Sequence, residues 1–406
     1  MQLRTGCPFW LLQAGERAAW PALEHDARVD VVVIGAGITG ALAAWRLAEA
    51  GFDTLLLDRR EVGEGSTAAS TALLQYELDT PLRTLRSLAG GENADRAYRA
   101  CLAAFGELEA LLDRLGERAG YSRRQSLYLA RERAELPELQ RECAERAAIG
   151  IPVEFLDQAG LKRHFAMRRP GAILSAVGGE IDAYRFTLRL VEAAAALGAR
   201  VRTGKSAEVV AIEPGPAVTI TTAGGRRIRA GHVVVATGYE FAPCLPRQDV
   251  TLHATYALAT QPFTEDEPWP GRALIWETAR PYLYLRTMPD GRIIVGGADD
   301  PFTGELPHGA LIEAKAQYLI AAARELLPHL DLEAECAWAG VFAETPDGLP
   351  YIGEVPGMPN VLGSLAYGGN GITFGIMAAD ILLAACRGGE HPDARLFAFD
   401  RDSLRR

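Results

Sequence analysis

Lysine is nearly absent: Lys162, Lys205 and Lys315 are three of 42 basic residues, so the positive charge is almost all guanidinium. Acids outnumber bases and the formal net charge is −10. Such a chain lacks the clustered cations that nucleic-acid phosphates demand, and no nucleic-acid partner is expected. Cysteine is also sparse. Cys7, Cys101, Cys143, Cys244, Cys336 and Cys386 form no C-x-x-C pair and no metal-ligand spacing, which points to no metal site and to ordinary reduced thiols in a cytoplasmic setting. Long unbroken apolar runs are missing too. Residues 31–45 and 361–379 contain turn glycines and end against Arg46 and Asp380, so neither reads as a transmembrane segment. The apolar piece at 8–12 is too short for a secretory signal. What is present is a 406-residue chain, 49% hydrophobic, long enough to bury the cores of two or three packed domains.

The stretch "VVVIGAGITG" (31–40) breaks a run of branched residues with glycines spaced G-x-G-x-x-G. Residues 29–34 have the continuous apolar character of a strand buried on both faces of a parallel sheet. After the glycines, Ala41, Leu42, Ala44, Trp45, Leu47 and Ala48 recur at helical spacing until Gly51. A second strand, 54–57, ends at Asp58, 18 residues past Gly40. Gly35 permits the tight turn, Gly37 admits a pyrophosphate to the backbone, and Gly40 lets helix and strand pack closely. The helix start offers free N–H groups to the anion, and the acid suits an adenosine ribose. A dinucleotide site is expected.

Later stretches bear on which dinucleotide. Residues 63–75, "GEGSTAASTALLQ", are small and hydroxyl-rich where a nicotinamide domain would begin its next helix. Ser66 and Thr67 can donate to phosphate oxygens, while Ala68, Ala69 and Ala72 leave room for a planar ring. At 231–239, "GHVVVATGY" runs a strand into Ala236, Thr237 and Gly238. Near the end, "NVLGSLAYGGNGITFGIMAADILLAAC" reads as a strand, then Gly368, Gly369, Asn370 and Gly371, then a helix with Ile372, Ile376, Ala379, Leu382 and Leu383 on one face. A helix start stabilises an anion by about 0.3–2 kcal/mol, which suits the negative charge that reduction places at a flavin N1–C2=O locus. Two such junctions fit FAD, with its pyrophosphate at one end and a reducible ring at the other.

In this order, "VVVIGAGITG", "GSTAAS", "GGEIDAYRFTLRLVEAAAALGARV", "VVVATGY", "YLYLRTMPDGRIIVGG", "TPDGLPYIG" and "GGNGITFG" resemble the flavoprotein family of D-amino-acid oxidase, glycine oxidase, sarcosine oxidase and related amine dehydrogenases. The part before Val29 resembles the N-terminal extension of the γ-glutamylputrescine oxidase branch. The resemblance implies an α/β fold: a discontinuous Rossmann-like FAD-binding domain over 28–80, 175–250 and 345–395, and a second α+β substrate domain over 81–174 and 251–344 built on a mostly antiparallel sheet. Residues 1–27 and 396–406 are then an N-terminal extension and a C-terminal tail. It also places Ile38, Thr39, Arg59, Thr71, Val209, Gly340, Ile372 and Thr373 on the cofactor with the residues above. Within the second domain, 84–148 read as helices through Leu102, Phe105, Leu108, Leu111, Leu112 and Leu115, and 251–300 as antiparallel strands. Pro262, Pro268 and Pro270 mark a surface loop, and the Arg and Glu residues of 131–146 a solvated helix face.

In "YLYLR" (282–286), strand alternation turns Tyr282, Tyr284 and Arg286 to one face. Burying that Arg is costly unless an anion joins it, and a substrate carboxylate could do so through a bidentate pair. The resemblance implies that role for Arg286; an internal Asp or Glu is the alternative partner. Amino-acid oxidases of this group often carry Arg-Pro ahead of T-P-D-G, where this chain has Phe342-Ala343. The loss of that cation favours a larger or more apolar amine over glycine. Members resembling sarcosine oxidase tether flavin through a Cys at the position of Gly340, with Cys336 four residues earlier, so non-covalent FAD is expected. Asp347 reads as turn chemistry, and His253, with Tyr256, as structural rather than as a base.

The expected activity is oxidation of the C–N bond of an amine or amino acid by hydride transfer to flavin N5, giving an imine that hydrolyses. O2 or a quinone or electron-transfer partner would take the electrons. Two alternatives stand beside it: a dehydrogenase of a hydroxy acid or other C–O substrate, and a flavin-binding subunit of a heteromeric dehydrogenase.

Overall fold

A computed structural model describes residues 1–15, 19–240, 249–263 and 268–405; Cys244 and part of the proline-marked loop lie outside them. Two sheets carry the molecule. In the first, five parallel strands run in the order Val361–Leu365, Arg227–Gly238, Ala27–Ile34, Thr54–Asp58, Arg200–Thr203. Tyr351–Glu354 adds an antiparallel edge, and Val209–Glu213 and Val218–Thr222 form a meander on Arg227–Gly238.

The apolar run at the start of the chain explains why its strand is central. Val31 and Val33 pack into a core with helix Ile38–Glu49, while Val32 and Ile34 pack on the opposite side with Ile212, Val218 and Ile220 of the meander. Both faces are covered, as a parallel strand requires. Helices Ala183–Ala196 and Gly371–Cys386 flank Ile38–Glu49 in the helical layer. The chain leaves Ala27–Ile34 for a neighbour on one side and returns to a neighbour on the other. This is a topological switch point, where the carboxyl ends of the strands leave a crevice.

The second sheet is ordered Arg4–Gly6, Ala334–Glu344, Thr251–Thr260, Ile293–Pro301, Leu283–Thr287, Leu274–Glu277, Ser122–Leu129, Gly171–Glu180, Leu73–Leu74, with Val153–Asp157 also on Gly171–Glu180. It is antiparallel except where Leu274–Glu277 runs parallel to Ser122–Leu129. Helix Ala310–Leu326 covers one face through Leu319 and Ala323. Among the described residues no helix is long and apolar enough to cross a membrane.

Two expectations for 84–148 are corrected. Helices Leu82–Ala89, Gly91–Leu115 and Leu136–Ala148 form, but Ser122–Leu129 is a strand inserted between them. Its Leu127, Tyr128 and Leu129 are all buried, and pairing on both edges outweighs the helical pattern before it. The charged run of 131–146 is not all solvated either. Arg146 and Glu142 are 0% and 3% exposed and bond at 2.8 Å, and Glu142 also accepts the Leu82 and Arg83 N–H groups at the start of helix Leu82–Ala89.

Asp347 has the expected structural role, with a partner that the turn motif does not reveal. It accepts from the Thr345 hydroxyl and the Leu349 N–H, and pairs with Arg401 at 2.6 Å. Burial raises its pKa, but Arg401, Ser403 and the Leu349 N–H more than offset this and hold the carboxyl below its usual range. A depressed folded pKa means stability that is present above the unfolded value of about 3.9 and lost as pH falls through the folded one. Asp347→Asn is expected to remove part of the acid-side loss of Tm, measured by melts below pH 5.

Candidate active site

The switch-point crevice is the floor of a cavity of about 730 Å³, within the range of about 300–1,000 Å³ usual for small-molecule sites. The first sheet forms one wall and the second sheet the other. Gly35, Gly37, Ile38, Thr39, Asp58, Arg59, Ser66, Thr67, Thr71 and Ala72 line it, as do Val209, Ala236, Thr237, Gly238, Gly340, Gly369, Asn370, Gly371, Ile372 and Thr373. Tyr282 and Tyr284 line it too. Of the expected residues, Gly40 and Arg286 stand behind the wall, and Ala68 is buried beneath its neighbours.

The glycine turn is shaped by close approach. Gly35 has φ 104°, and a Cβ there would lie 2.4 Å from the Ala236 carbonyl oxygen. At Gly40 a Cβ would meet the Gly35 carbonyl oxygen at 1.7 Å, so that glycine is what lets the helix reach the strand. Helix Ile38–Glu49 has no side-chain cap from its own N-cap residue, and the Ile38 N–H instead bonds Thr67 Oγ1 at 3.0 Å. Asp58 accepts from the Ala36 and Arg60 N–H groups at 2.7 and 2.8 Å, which fixes the carboxylate beside the turn. Its desolvation nevertheless raises its pKa. Arg59, expected on the cofactor, is held by Glu208 at 3.0 Å and by Glu240.

The second junction is tied to the segment that follows Leu73–Leu74. Asn370 Nδ2 donates to the Gln75 and Glu77 carbonyls, and the Thr373 hydroxyl to the Gln75 carbonyl. Helix Gly371–Cys386 therefore starts at the cavity with no side-chain cap.

These features fit FAD. Two buried hydroxyls on the cavity wall, Ser66 Oγ and Thr237 Oγ1, have no hydrogen-bond partner in the protein. Buried polar groups are rarely left so. Two helix starts and two unpaired hydroxyls on one cavity are a donor set for a bound pyrophosphate and a polar ring edge.

Arg286 requires a correction. It is 2% exposed, and its Nη1 donates to the Ala72 and Ile181 carbonyls at 3.1 Å each. The guanidinium also faces the Trp10 ring at 5.2 Å. Burial pushes it down to about 10, with Glu180 and Asp182 opposing. Two backbone carbonyls thus hold one arm of the guanidinium, Nε has no partner, and Glu180 and Asp182 favour its charge without bonding it. Ala72 itself sits at φ 54°, a left-handed conformation costly for alanine; Arg286 anchors it from behind.

The second wall has features that motifs did not announce. Asp79, Thr255, Trp276, Asp299 and Phe342 line the cavity beside Tyr282 and Tyr284. His253 does not: it stacks on Phe342 at 5.0 Å and faces Glu344 at 3.2 Å. Tyr256 bonds Asp300 instead. Cys336 is also outside the lining, and burial pushes its thiol up to about 11.

Met1 and Leu3 line the cavity as well, because Arg4–Gly6 pairs with Trp338–Gly340 of the second sheet. Trp10 secures this segment by donating to the Ser70 carbonyl at 2.6 Å. A three-residue strand whose partner lies over 300 residues away leaves no local signal.

A nucleotide-type switch point joined to an antiparallel sheet by one long cavity defines the class of two-layered flavin oxidoreductases. The family model of FAD dependent oxidoreductases (DAO) matches residues 30–385, and the chain belongs to that family. Glycine oxidase of Geobacillus kaustophilus is 25% identical over 372 residues, 87% of this chain and 93% of that protein. Gamma-glutamylputrescine oxidoreductase of Escherichia coli is 25% identical over 396 residues, 94% and 88% of the two chains. The crystal structure of the Geobacillus glycine oxidase superposes with a TM-score of 0.78 at 22% identity over 92% of this chain and 99% of that one. L-proline dehydrogenase from P. horikoshii gives the same TM-score at 19% identity, covering 93% and 98%.

Proposed function

We propose that the protein oxidises the C–N bond of an amine or amino acid with non-covalently bound FAD. The observation that carries this reading is the single cavity onto which the Gly35–Gly40 turn and the Asn370–Thr373 helix start both open, facing Tyr282, Tyr284 and Trp276. The flavin, when bound, supplies a two-electron acceptor for the hydride of a substrate C–H, leaving an imine that water hydrolyses. The chain's own part is alignment and desolvation. Gly37, Ile38 and Thr39 would present backbone to the pyrophosphate, Asp58 would accept from the ribose, and Ser66 and Thr237 would donate from the walls. The start of helix Gly371–Cys386 would offer its free N–H groups to a polar edge of the ring, and Gly340 would keep its part of the wall free of a side chain. The aromatic side chains exclude water, which favours the neutral amine over its ammonium form.

The names of the relatives support a C–N substrate: glycine, proline and γ-glutamylputrescine all present one. Anaerobic addition of amines, amino acids and hydroxy acids should bleach the flavin band with amines or amino acids and not with hydroxy acids; bleaching by hydroxy acids alone overturns the reading. Acid precipitation should leave all yellow colour in the supernatant, since Cys336 is buried as a thiol away from the cavity; colour in the pellet would show a tether.

A further inference from the structure

The charge on the second wall of the cavity has one sign. The charged groups lining the whole cavity, among the described residues, are the Met1 α-ammonium, paired with Glu240 at 2.7 Å, and Asp58, Arg59, Arg60, Asp79, Glu208, Glu240 and Asp299. Both arginines are on the first sheet's side and are paired, Arg59 with Glu208 and Glu240, and Arg60 with Glu240 at 3.0 Å. On the substrate side only Asp79 and Asp299 remain.

Their surroundings are those that recognise a cation. Asp299 Oδ1 is buried without a hydrogen-bond partner. Tyr284 stands over Gly296, where a Cβ would lie 2.2 Å from its ring, and its hydroxyl is 3.4 Å from Thr255 Oγ1. Trp276 is stacked on Tyr128 with centroids 3.8 Å apart, which fixes the indole. Tyr282 already receives a cation on one face, the Arg280 guanidinium at 3.2 Å. Arg280 is an exposed residue outside the cavity lining, and its Nη2 donates to the Asp79 carbonyl. It is therefore engaged outside the pocket. An unpaired carboxylate oxygen on a cavity that Tyr282, Tyr284 and Trp276 also line is a site for an organic ammonium, held by charge and by ring faces together.

We propose that the pocket selects a cationic amine without a carboxylate next to the reacting carbon, with Asp299 as the specificity-determining residue and Asp79 in support. This rests on the amine-oxidation reading and narrows it, from amines or amino acids to amines. A zwitterion would place its carboxylate against Asp79, Asp299 and the apolar Phe342, with no unpaired cation among the described lining residues to receive it. Burial, with repulsion from Asp79, pushes Asp299 up to about 6 against the pull of Thr255, His253 and Arg280, so it is ionised at pH 7.5, can receive the arriving ammonium, and can then take the proton whose loss leaves the neutral amine.

The test uses ligands of one shape that cannot be oxidised, because their central carbon bears no hydrogen. Holoenzyme is titrated at pH 7.5 with tert-butylamine, 2-aminoisobutyrate and pivalate, and the shift of the visible flavin band gives Kd. tert-Butylammonium should bind at least about tenfold tighter than the other two, as a charge-assisted contact implies. Asp299→Asn should weaken it about tenfold without altering flavin content. Phe342→Arg, which adds a cation to the same wall, should reverse the order toward pivalate; it also serves if Asp299→Asn does not fold. Tighter binding of 2-aminoisobutyrate or pivalate to the unaltered enzyme overturns the proposal, as does an unchanged order in both variants. Failure here with amines still bleaching the flavin leaves the oxidation reading standing; binding without any bleaching defeats that reading instead.

Discussion

Gly40→Ala gives a protein that purifies without yellow colour. The added Cβ would lie 1.7 Å from the Gly35 carbonyl oxygen, which is backbone and cannot rotate away. Helix Ile38–Glu49 must then retreat from the Ala27–Ile34 strand. That retreat moves the Ile38 and Thr39 N–H groups, which the reading places against the pyrophosphate. It also opens a core in which Leu42, Val31 and Val33 are 0% exposed. Overpacking of this kind costs about 1–3 kcal/mol before any loss of ligand contacts. FAD affinity should fall by at least about 100-fold, equivalent to about 2.7 kcal/mol. The ratio of flavin to protein absorbance and a titration of apoprotein with FAD measure it. A yellow Gly40→Ala protein with ordinary affinity would mean that the turn does not hold the cofactor.

Arg286→Met separates two roles for one residue. As a ligand for a substrate carboxylate, its loss would raise KM for carboxylated substrates and leave stability alone. As the anchor of Ala72 and Ile181, its loss strands two buried carbonyls, removes a buried positive charge near Asp182, and leaves Glu180 with Arg124 alone. Removal of one partner from a buried charged set costs about 3–5 kcal/mol. The expected result is a clear drop in Tm and in flavin content, because Ala72 lines the cavity, with the ratio of activities on amine and amino-acid substrates unchanged. A stable variant that selectively loses carboxylated substrates would restore the role expected from the sequence.

The contrast shows what local pattern can and cannot carry. The β-branched run, the three glycines, the helical repeat and Asp58 are contiguous, and each follows from backbone sterics or burial within a single βαβ unit. The same is true of the Gly368–Gly371 junction. Strand alternation correctly put Tyr284 on the cavity side, but alternation sets a face and not what lies over it. Arg286 is one pleat further along, under Ala72, which is over 200 residues away in the chain. Ser122–Leu129 is a strand because neighbours on both edges pair with it, and those neighbours begin at residues 171 and 274. Asp299, Trp276 and Asp79 have no motif at all; only the folded sheet gathers them. The N-terminal resemblance noted for the region before Val29 likewise did not indicate that Met1 and Leu3 form part of the wall.

The sheet order has a consequence for biosynthesis. The strand that begins the crevice is made within the first tenth of translation, yet one of its two neighbours, Arg227–Gly238, arrives only near residue 230, and the helix that closes the ring end arrives only after residue 370. The edge strand Arg4–Gly6 waits for Trp338–Gly340. A nascent chain on the ribosome therefore exposes an unfinished crevice through most of its synthesis, as contacts of such long sequence separation require. Acquisition of the flavin belongs to the last moments of synthesis or follows release.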